Sequence, residues 1–340
     1  MSKRESMIQN VGEIVKVEGI GRNIAFNPFP LGNGIVVCRI EDPESDWLNR
    51  VHNRPGPYNP HSRFFREDRD KLVPLEGAPV FDLEDPFGAW IIDQHNEPQL
   101  LFGGVRVNFK AEGGPRIRTE LYLAGHIYDL SQEKQPVAVV DDMRDIRFAQ
   151  SEAGDMVMLP RLTTGAAYPG SIGYTRITLA ELKDPQRFKD KIATSKLLRF
   201  SLPAGIRLGA NAVYSELWRR DSGETKELIH IVCHSSEADP YTDAQGKLIE
   251  NDFVNGIIHY RAYDGYLDPE NPTATIQLRE LARSSNFPTM PGSIKGPRYK
   301  DVVFPGGIAG NTLYAGLGDR SVVRIEISAP THPSSTLLSI

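Results

Sequence analysis

The sequence predicts an all-β fold, and three observations carry that expectation. The apolar segments are short and rich in Val, Ile, Tyr and Thr, and several alternate apolar with polar, the pattern of half-buried strands. The 25 prolines and 30 glycines are spread through all 340 residues, and each interrupts helical hydrogen bonding or raises its entropic cost. No polar linker is long enough to part the chain into two domains.

Taken in order, strands are expected at 34–40 (GIVVCRI), 99–109 (QLLFGGVRVNF), 120–128 (ELYLAGHIY), 172–179 (IGYTRITL), 227–233 (ELIHIVC), 255–263 (NGIIHYRAY), 311–316 (NTLYAG) and 321–327 (SVVRIEI). Shorter strand-like stretches at 78–81 and 88–93 flank the segment LEDPF. Turn residues cluster at Gly113-Gly114-Pro115, Asp264-Gly265 and Pro305-Gly306-Gly307. The one helix candidate, 179–197, is broken at Asp184-Pro185. Residues 1–20 read as an N-terminal arm, 21–329 as a single domain and 330–340 as a polar, weakly ordered tail. So many short strands must resolve their sheet edges. A sandwich needs far fewer residues. Four-stranded propeller blades leave only short edges, and at about 40–60 residues each, five fit the roughly 310 residues between arm and tail. Repeats of the WD type are absent.

Charge and cysteine usage narrow the function classes. With 39 basic and 44 acidic side chains the net charge is −5, which argues against nucleic acid as a partner. No stretch approaches the roughly 18 apolar residues that cross a bilayer, so no membrane partner is expected. The opening MSKRESMIQN is followed by no apolar signal-peptide core. Cys38 and Cys233 form no CxxC, and the only glycosylation-like triplet, Asn271-Pro272-Thr273, is blocked by its proline. A cytoplasmic location is the expectation, with a single disulfide left open.

Three segments could carry chemistry. In Leu83-Glu84-Asp85-Pro86-Phe87 the proline is expected to restrict Asp85 to extended geometry and hold its carboxylate on a stiff backbone. The plainer alternative is a turn in which Asp85 caps amides. In Met143-Arg144-Asp145-Ile146-Arg147, strand alternation puts Asp145 and Arg147 on one face, able to hold a sugar hydroxyl and an anion together. An exposed ion pair is the alternative there. The run 295–307 (KGPRYKDVVFPGG) gathers Lys295, Arg298 and Lys300 before Asp301, a local basic cluster suited to phosphate or simply a solvated loop. His230 and His234 are four apart but in a strand-like run with no third ligand evident, so no metal site is expected. Walker, GxSxG and complete GxGxxG motifs are absent.

Several motifs together, in order, resemble a known family: Asn27-Pro28-Phe29-Pro30, EGAPVFDLEDPF at 76–87, Phe102-Gly103-Gly104-Val105, Arg144 to Arg147, Ile172-Gly173-Tyr174, Gly209-Ala210-Asn211, and DVVFPGG at 301–307 followed by Tyr314-Ala315-Gly316. They resemble the mannosyltransferase/phosphorylase family of protozoan parasites and bacteria, related to the β-1,2-mannoside phosphorylases. The resemblance spans roughly residues 20–328. It implies a five-bladed β-propeller with its active site at a central funnel. It also implies inverting chemistry on β-1,2-linked mannose oligosaccharides, with phosphate and mannose 1-phosphate, or GDP-mannose, as the other partner.

Asp85 matches the family's acid in its Glu-Asp-Pro motif and is expected to be the general acid, its pKa raised toward neutrality. Asn27, Asp145, Asn211 and Asp301 are expected to bind mannose hydroxyls, and Tyr174 to stack on a sugar face. Arg147, Arg161, His234 and Lys295 are candidates for the phosphate. No metal or organic cofactor is required. An ordinary inverting glycosidase needs a second carboxylate to activate water. Phosphate as nucleophile does not, and Asn27 offers an amide where propeller glycosidases commonly carry an aspartate. Ala212 follows Asn211 where an acidic residue is expected in relatives, so the acceptor side departs from the family pattern. Two rivals stand beside this reading: a propeller-fold glycoside hydrolase, with Asp145 or Asp301 as the second carboxylate, and a non-catalytic carbohydrate-binding propeller.

Overall fold

A computed structural model describes residues 11–43, 59–108, 116–164, 168–202, 207–220, 223–243, 245–249, 257–288, 299–328 and 335–337. Strands dominate them, arranged as successive antiparallel runs. The first run is Ile24–Gly32, Ile35–Glu41, His61–Asp68 and Lys71–Pro74. Its opening hairpin turns on Asn33 and Gly34, both at positive φ (52° and 68°), the geometry of the two-residue turn that matches strand twist. The second run is Glu84–Ile92, Pro98–Asn108, Arg116–Ala124 and Ala138–Asp141.

The third run begins with Arg147–Gln150 and Met156–Leu159, continues through Arg161–Thr164 to Tyr168–Ile177, and ends on Lys196–Leu197. The fourth is Arg207–Arg220, Thr225–Ala238, Ile258–Leu267 and Leu278–Ala282. The fifth is Tyr299–Ala309, Thr312–Leu317 and Ser321–Glu326. Its fourth strand comes from the other end of the chain: Glu13–Val17 pairs antiparallel with Ser321–Glu326. The stretch 1–20, read as an arm, is thus built in part into the sheet. The tail likewise contributes Ser335–Leu337, paired with Trp218 to Arg220.

The first strands of the five runs among the described residues pack in a cycle, each against the next and the fifth against the first. Aromatic and branched side chains fill the space between runs. Phe64, Phe81, Phe102 and Tyr122 pack as tilted ring pairs with centroids 4.8–5.1 Å apart. Cys38 and Cys233 are buried, free and in different core clusters.

Two expected turns are strand interior. Asp264-Gly265 lies within Ile258–Leu267, and a Cβ at Gly265 would sit 2.7 Å from Ile276 and 2.9 Å from the Gln277 carbonyl. The glycine there permits close approach of the neighbouring segment, not a reversal. Pro305-Gly306-Gly307 is a bulge inside Tyr299–Ala309. The broken helix is found as expected, as Leu179–Lys183 and Pro185–Ala193. Asp184 accepts from the Gln186 and Arg187 amides and Pro185 occupies the first helical position. No helix among the described residues is long and apolar enough to cross a membrane.

Candidate active site

Where the first strands meet, their regular pairing breaks. Register slips between Phe26 and Phe29, Glu84 and Phe87, Ala210 and Ala212, and Pro305 and Gly307. Asn27 (φ 45°), Asp85 (φ 47°) and Asp145 (φ 54°) adopt left-handed backbone, which Asn and Asp tolerate best among non-glycine residues. Asp85 is therefore not extended as its Pro86 implied. A bulge inserts it as an extra residue and re-aims its side chain. Asn27 and Asp85, in different runs, meet: Asn27 Nδ2 donates to Asp85 Oδ1 over 2.7 Å. Gly316 makes room for this contact, because a Cβ there would lie 2.9 Å from both Asn27 N and Oδ1. The Asn27 Oδ1 atom is buried and accepts no hydrogen bond from the described residues.

Two guanidiniums decide the electrostatics. Arg39 Nη1 donates to Asp85 Oδ1 at 2.9 Å and lies 3.1 Å from Glu84 Oε2, while its fork also engages Glu41. Arg144 Nη1 stands 3.7 Å from Glu84. Burial alone would raise the Asp85 carboxyl, but Arg39, Arg144 and the Asn27 amide outweigh it and hold Asp85 well below the ordinary carboxylate range. The expected upward shift is thus not a property of the chain alone. The raised group is its neighbour: burial pushes Glu84 up to about 6, with Arg39 and Arg144 offsetting only part. Exposure separates the two, 20% for the Asp85 side chain against 2% for Glu84.

On the adjoining side, Asp145 binds Arg161 Nη1 at 2.5 Å, with Arg147 Nη2 at 3.9 Å. Burial opposes its ionisation, but Arg161, Arg147 and His234 together lower its pKa. Arg147 is a brace more than an open cation. Its Nε donates to the Asn211 carbonyl at 2.5 Å, its Nη1 to the Ile146 carbonyl at 2.9 Å, and it lies over Phe87 with its guanidinium carbon 4.6 Å from the ring centroid. Asn211, at the fourth-run bulge, pairs its Oδ1 with His234 Nδ1 at 2.7 Å. Gly209 admits His234, since a Cβ there would be 2.5 Å from His234 Cε1 and 3.2 Å from Asp145 Oδ2.

The structure thus brings together Asn27, Asp85, Asp145, Arg147, Arg161, Asn211 and His234. It does not bring Tyr174, whose buried ring packs with Val157 and Leu198 while its hydroxyl accepts from Arg176 at 3.3 Å. Its strand position turns it into the core, so it cannot stack on a sugar here. Lys295 lies outside the described residues, as does the side chain of Asp301. His230 does not share the site with His234. It bridges Glu216 at 2.9 Å and Asp264 at 3.1 Å. No group of three or more His, Cys, Asp or Glu among the described residues is placed to hold a metal.

Sequence reasoning missed Arg39, Glu41 and the roles of Glu84 and Arg144. The signal for Arg39 was a cation inside the otherwise apolar strand GIVVCRI, where only a buried anion could hold it.

Residues 40–332 match the model of a family described as protein of unknown function, DUF1861. No curated protein matches. Among solved structures, MPT-1, a GDP-Man-dependent mannosyltransferase from Leishmania mexicana, superposes with a TM-score of 0.69 at 24% identity, over 98% of this chain and 94% of its own. MPT-4 from the same organism, a mannose phosphorylase in complex with phosphate ion, gives 0.67 at 22%, over 96% and 91%. A hypothetical protein from Leishmania major gives 0.66 at 21%, over 96% and 93%. The resemblance drawn from the motifs therefore holds at the level of the fold. The chain belongs to the DUF1861 family.

Proposed function

We propose that this DUF1861 protein is an inverting mannosyl-transferring enzyme, a β-1,2-mannoside phosphorylase or mannosyltransferase, built on a five-bladed β-propeller. The cyclic packing of five first strands, with the N-terminal strand completing the last run, supports the blade count. The observation that carries the chemistry is the make-up of the charged cluster. One partly exposed carboxylate, Asp85, is paired with an amide, Asn27, and stands near a group of arginines. Inverting hydrolysis requires a second carboxylate to activate water. Asn27 cannot be a base, and Asp145, clamped by Arg161 and Arg147, is a weak one. Phosphate needs neither.

In this reading Asp85 protonates the departing sugar oxygen, directly or through a sugar hydroxyl. A hydrogen phosphate oxygen attacks the anomeric carbon from the opposite face as the glycosidic bond breaks. The phosphate's proton then restores Asp85, so the products are mannose 1-phosphate and the shortened glycan. Bound phosphate also supplies what the free chain lacks: a negative charge near Asp85 opposes Arg39 and Arg144 and raises the acid. Arg161 and His234 are the phosphate-facing groups, Arg147 holds the Asn211 backbone in place, and Asn27 keeps its proposed place on the sugar side beside Asp85. Lys295 and Asp301 keep their proposed phosphate and sugar roles.

The test is phosphate release from mannose 1-phosphate with mannose or a short β-1,2-mannan as acceptor, in wild type and Asp85→Asn. Release that is lost in the variant supports both reaction and acid. Release that persists removes Asp85 from its role. If wild type releases nothing, GDP-mannose is the donor to try, and failure of both donors would overturn the reading in favour of the hydrolase or the binding protein.

A further inference from the structure

Consecutive residues of a regular strand point to opposite faces, yet Glu84 and Asp85 reach the same atom. Arg39 Nη1 lies 3.1 Å from Glu84 Oε2 and 2.9 Å from Asp85 Oδ1. The left-handed turn at Asp85, at the slip between Glu84 and Phe87, makes this possible. The groups facing Glu84 are Arg39 and Glu41 from the strand Ile35–Glu41, Asp85 beside it, and Arg144 at the entrance to the third run. Behind it the backbone is closed off, since a Cβ at Gly104 would sit 2.8 Å from the Glu84 carbonyl. With 2% of its side chain exposed, Glu84 has no surface to offer a sugar.

We propose that Glu84 is a positioning residue that competes with Asp85 for the Arg39 guanidinium and thereby limits how far that cation holds Asp85 in its ionised form. The inference rests on Asp85 being the acid. Two carboxylates on one nitrogen repel, and each weakens the cation's hold on the other. Without the Glu84 charge, the attraction of Arg39 and Arg144 falls more heavily on Asp85, which ionises more readily and donates less well. Glu84, pushed up to about 6 by burial, is largely ionised at pH 7, the form that competes.

The experiment is the pH profile of kcat for mannose 1-phosphate formation from a short β-1,2-mannan and saturating phosphate in wild type, Glu84→Gln and Glu84→Asp, with circular dichroism confirming the fold of each. The alkaline limb reports the acid. Glu84→Gln is expected to move that limb down by at least about one pH unit, with about tenfold less activity at pH 7. Glu84→Asp keeps the charge and is expected to hold the limb within about half a unit of wild type. A loss of packing alone would depress the rate equally at every pH. A limb that does not move in folded Glu84→Gln overturns the proposal, and so does a limb in Glu84→Asp displaced as far as in Glu84→Gln. Asp85→Asn separates the two levels of inference. If it retains the wild-type limb, the acid assignment fails. If it is inactive while the Glu84→Gln limb stays in place, the Glu84 role alone fails.

Discussion

Arg39→Met tests whether the site is held together by one guanidinium. The substitution keeps an unbranched side chain of similar length in a strand where Arg39 is 12% exposed. It leaves Glu41, Glu84 and Asp85 with Arg144 as the remaining cation, 3.7 Å from Glu84. Removing one partner of a buried ion pair costs about 3–5 kcal/mol, and three carboxylates losing a shared cation put the expected loss at pH 7 at the upper end, about 4–5 kcal/mol. The pH dependence follows from the shifts. In wild type Asp85 is held below its ordinary 3.8, so its stabilisation is complete above that value and lost as pH falls through the lower folded value. In Arg39→Met the folded-state values of Asp85 and Glu84 rise above those of the unfolded chain, so acidification from pH 7 toward pH 5 restores stability. The gap to wild type should shrink by about 2 kcal/mol over that range. Urea unfolding at pH 7 and pH 5, followed by tryptophan fluorescence, measures both terms. A gap under about 1 kcal/mol at pH 7, or one that is the same at pH 5, would refute the reasoning.

Two further outcomes are expected. Glu84 is raised from 4.5 to about 6 in the folded chain, so its contribution to stability is full below pH 4.5 and falls by about 2 kcal/mol as pH rises through 6. Glu84→Gln should flatten this part of the stability curve, which urea midpoints between pH 4 and pH 7 would read, and an unchanged slope would count against the assignment. Gly209→Ala places a methyl 2.5 Å from His234 Cε1 and should destabilise by about 1–3 kcal/mol while lowering kcat/KM through loss of the His234–Asn211 contact. Thermal melting and kinetics that both match wild type would rule out the close approach.

Much of the architecture was legible because strands announce themselves locally. Alternation in SVVRIEI and the Asp184-Pro185 break each act over a few residues, and each is found in place. Asp264-Gly265 misled because a glycine that admits a neighbouring segment looks, in sequence, like one that turns the chain. The site was legible as residue types but not as a circuit. Asp85, Asn27 and Asp145 stood out beside their prolines and arginines. Tyr174 looked equally suitable, and only its strand position turned it inward.

The sequence by itself determined the all-β class, the polar residues that could do sugar chemistry and the lack of a second carboxylate at position 27, because propensity, turn chemistry and side-chain functional groups are carried by short stretches of chain. Only the tertiary structure decided which charges neighbour one another. Arg39 and Asp85 are 46 residues apart, and Asn27 and Asp85 are 58 apart. Their contact depends on bulges in two separate runs and on the packing between them. Coulomb energy depends on distance in space and on burial, so the lowering of Asp85, the raising of Glu84 and the sharing of one guanidinium between them exist only once the runs are assembled.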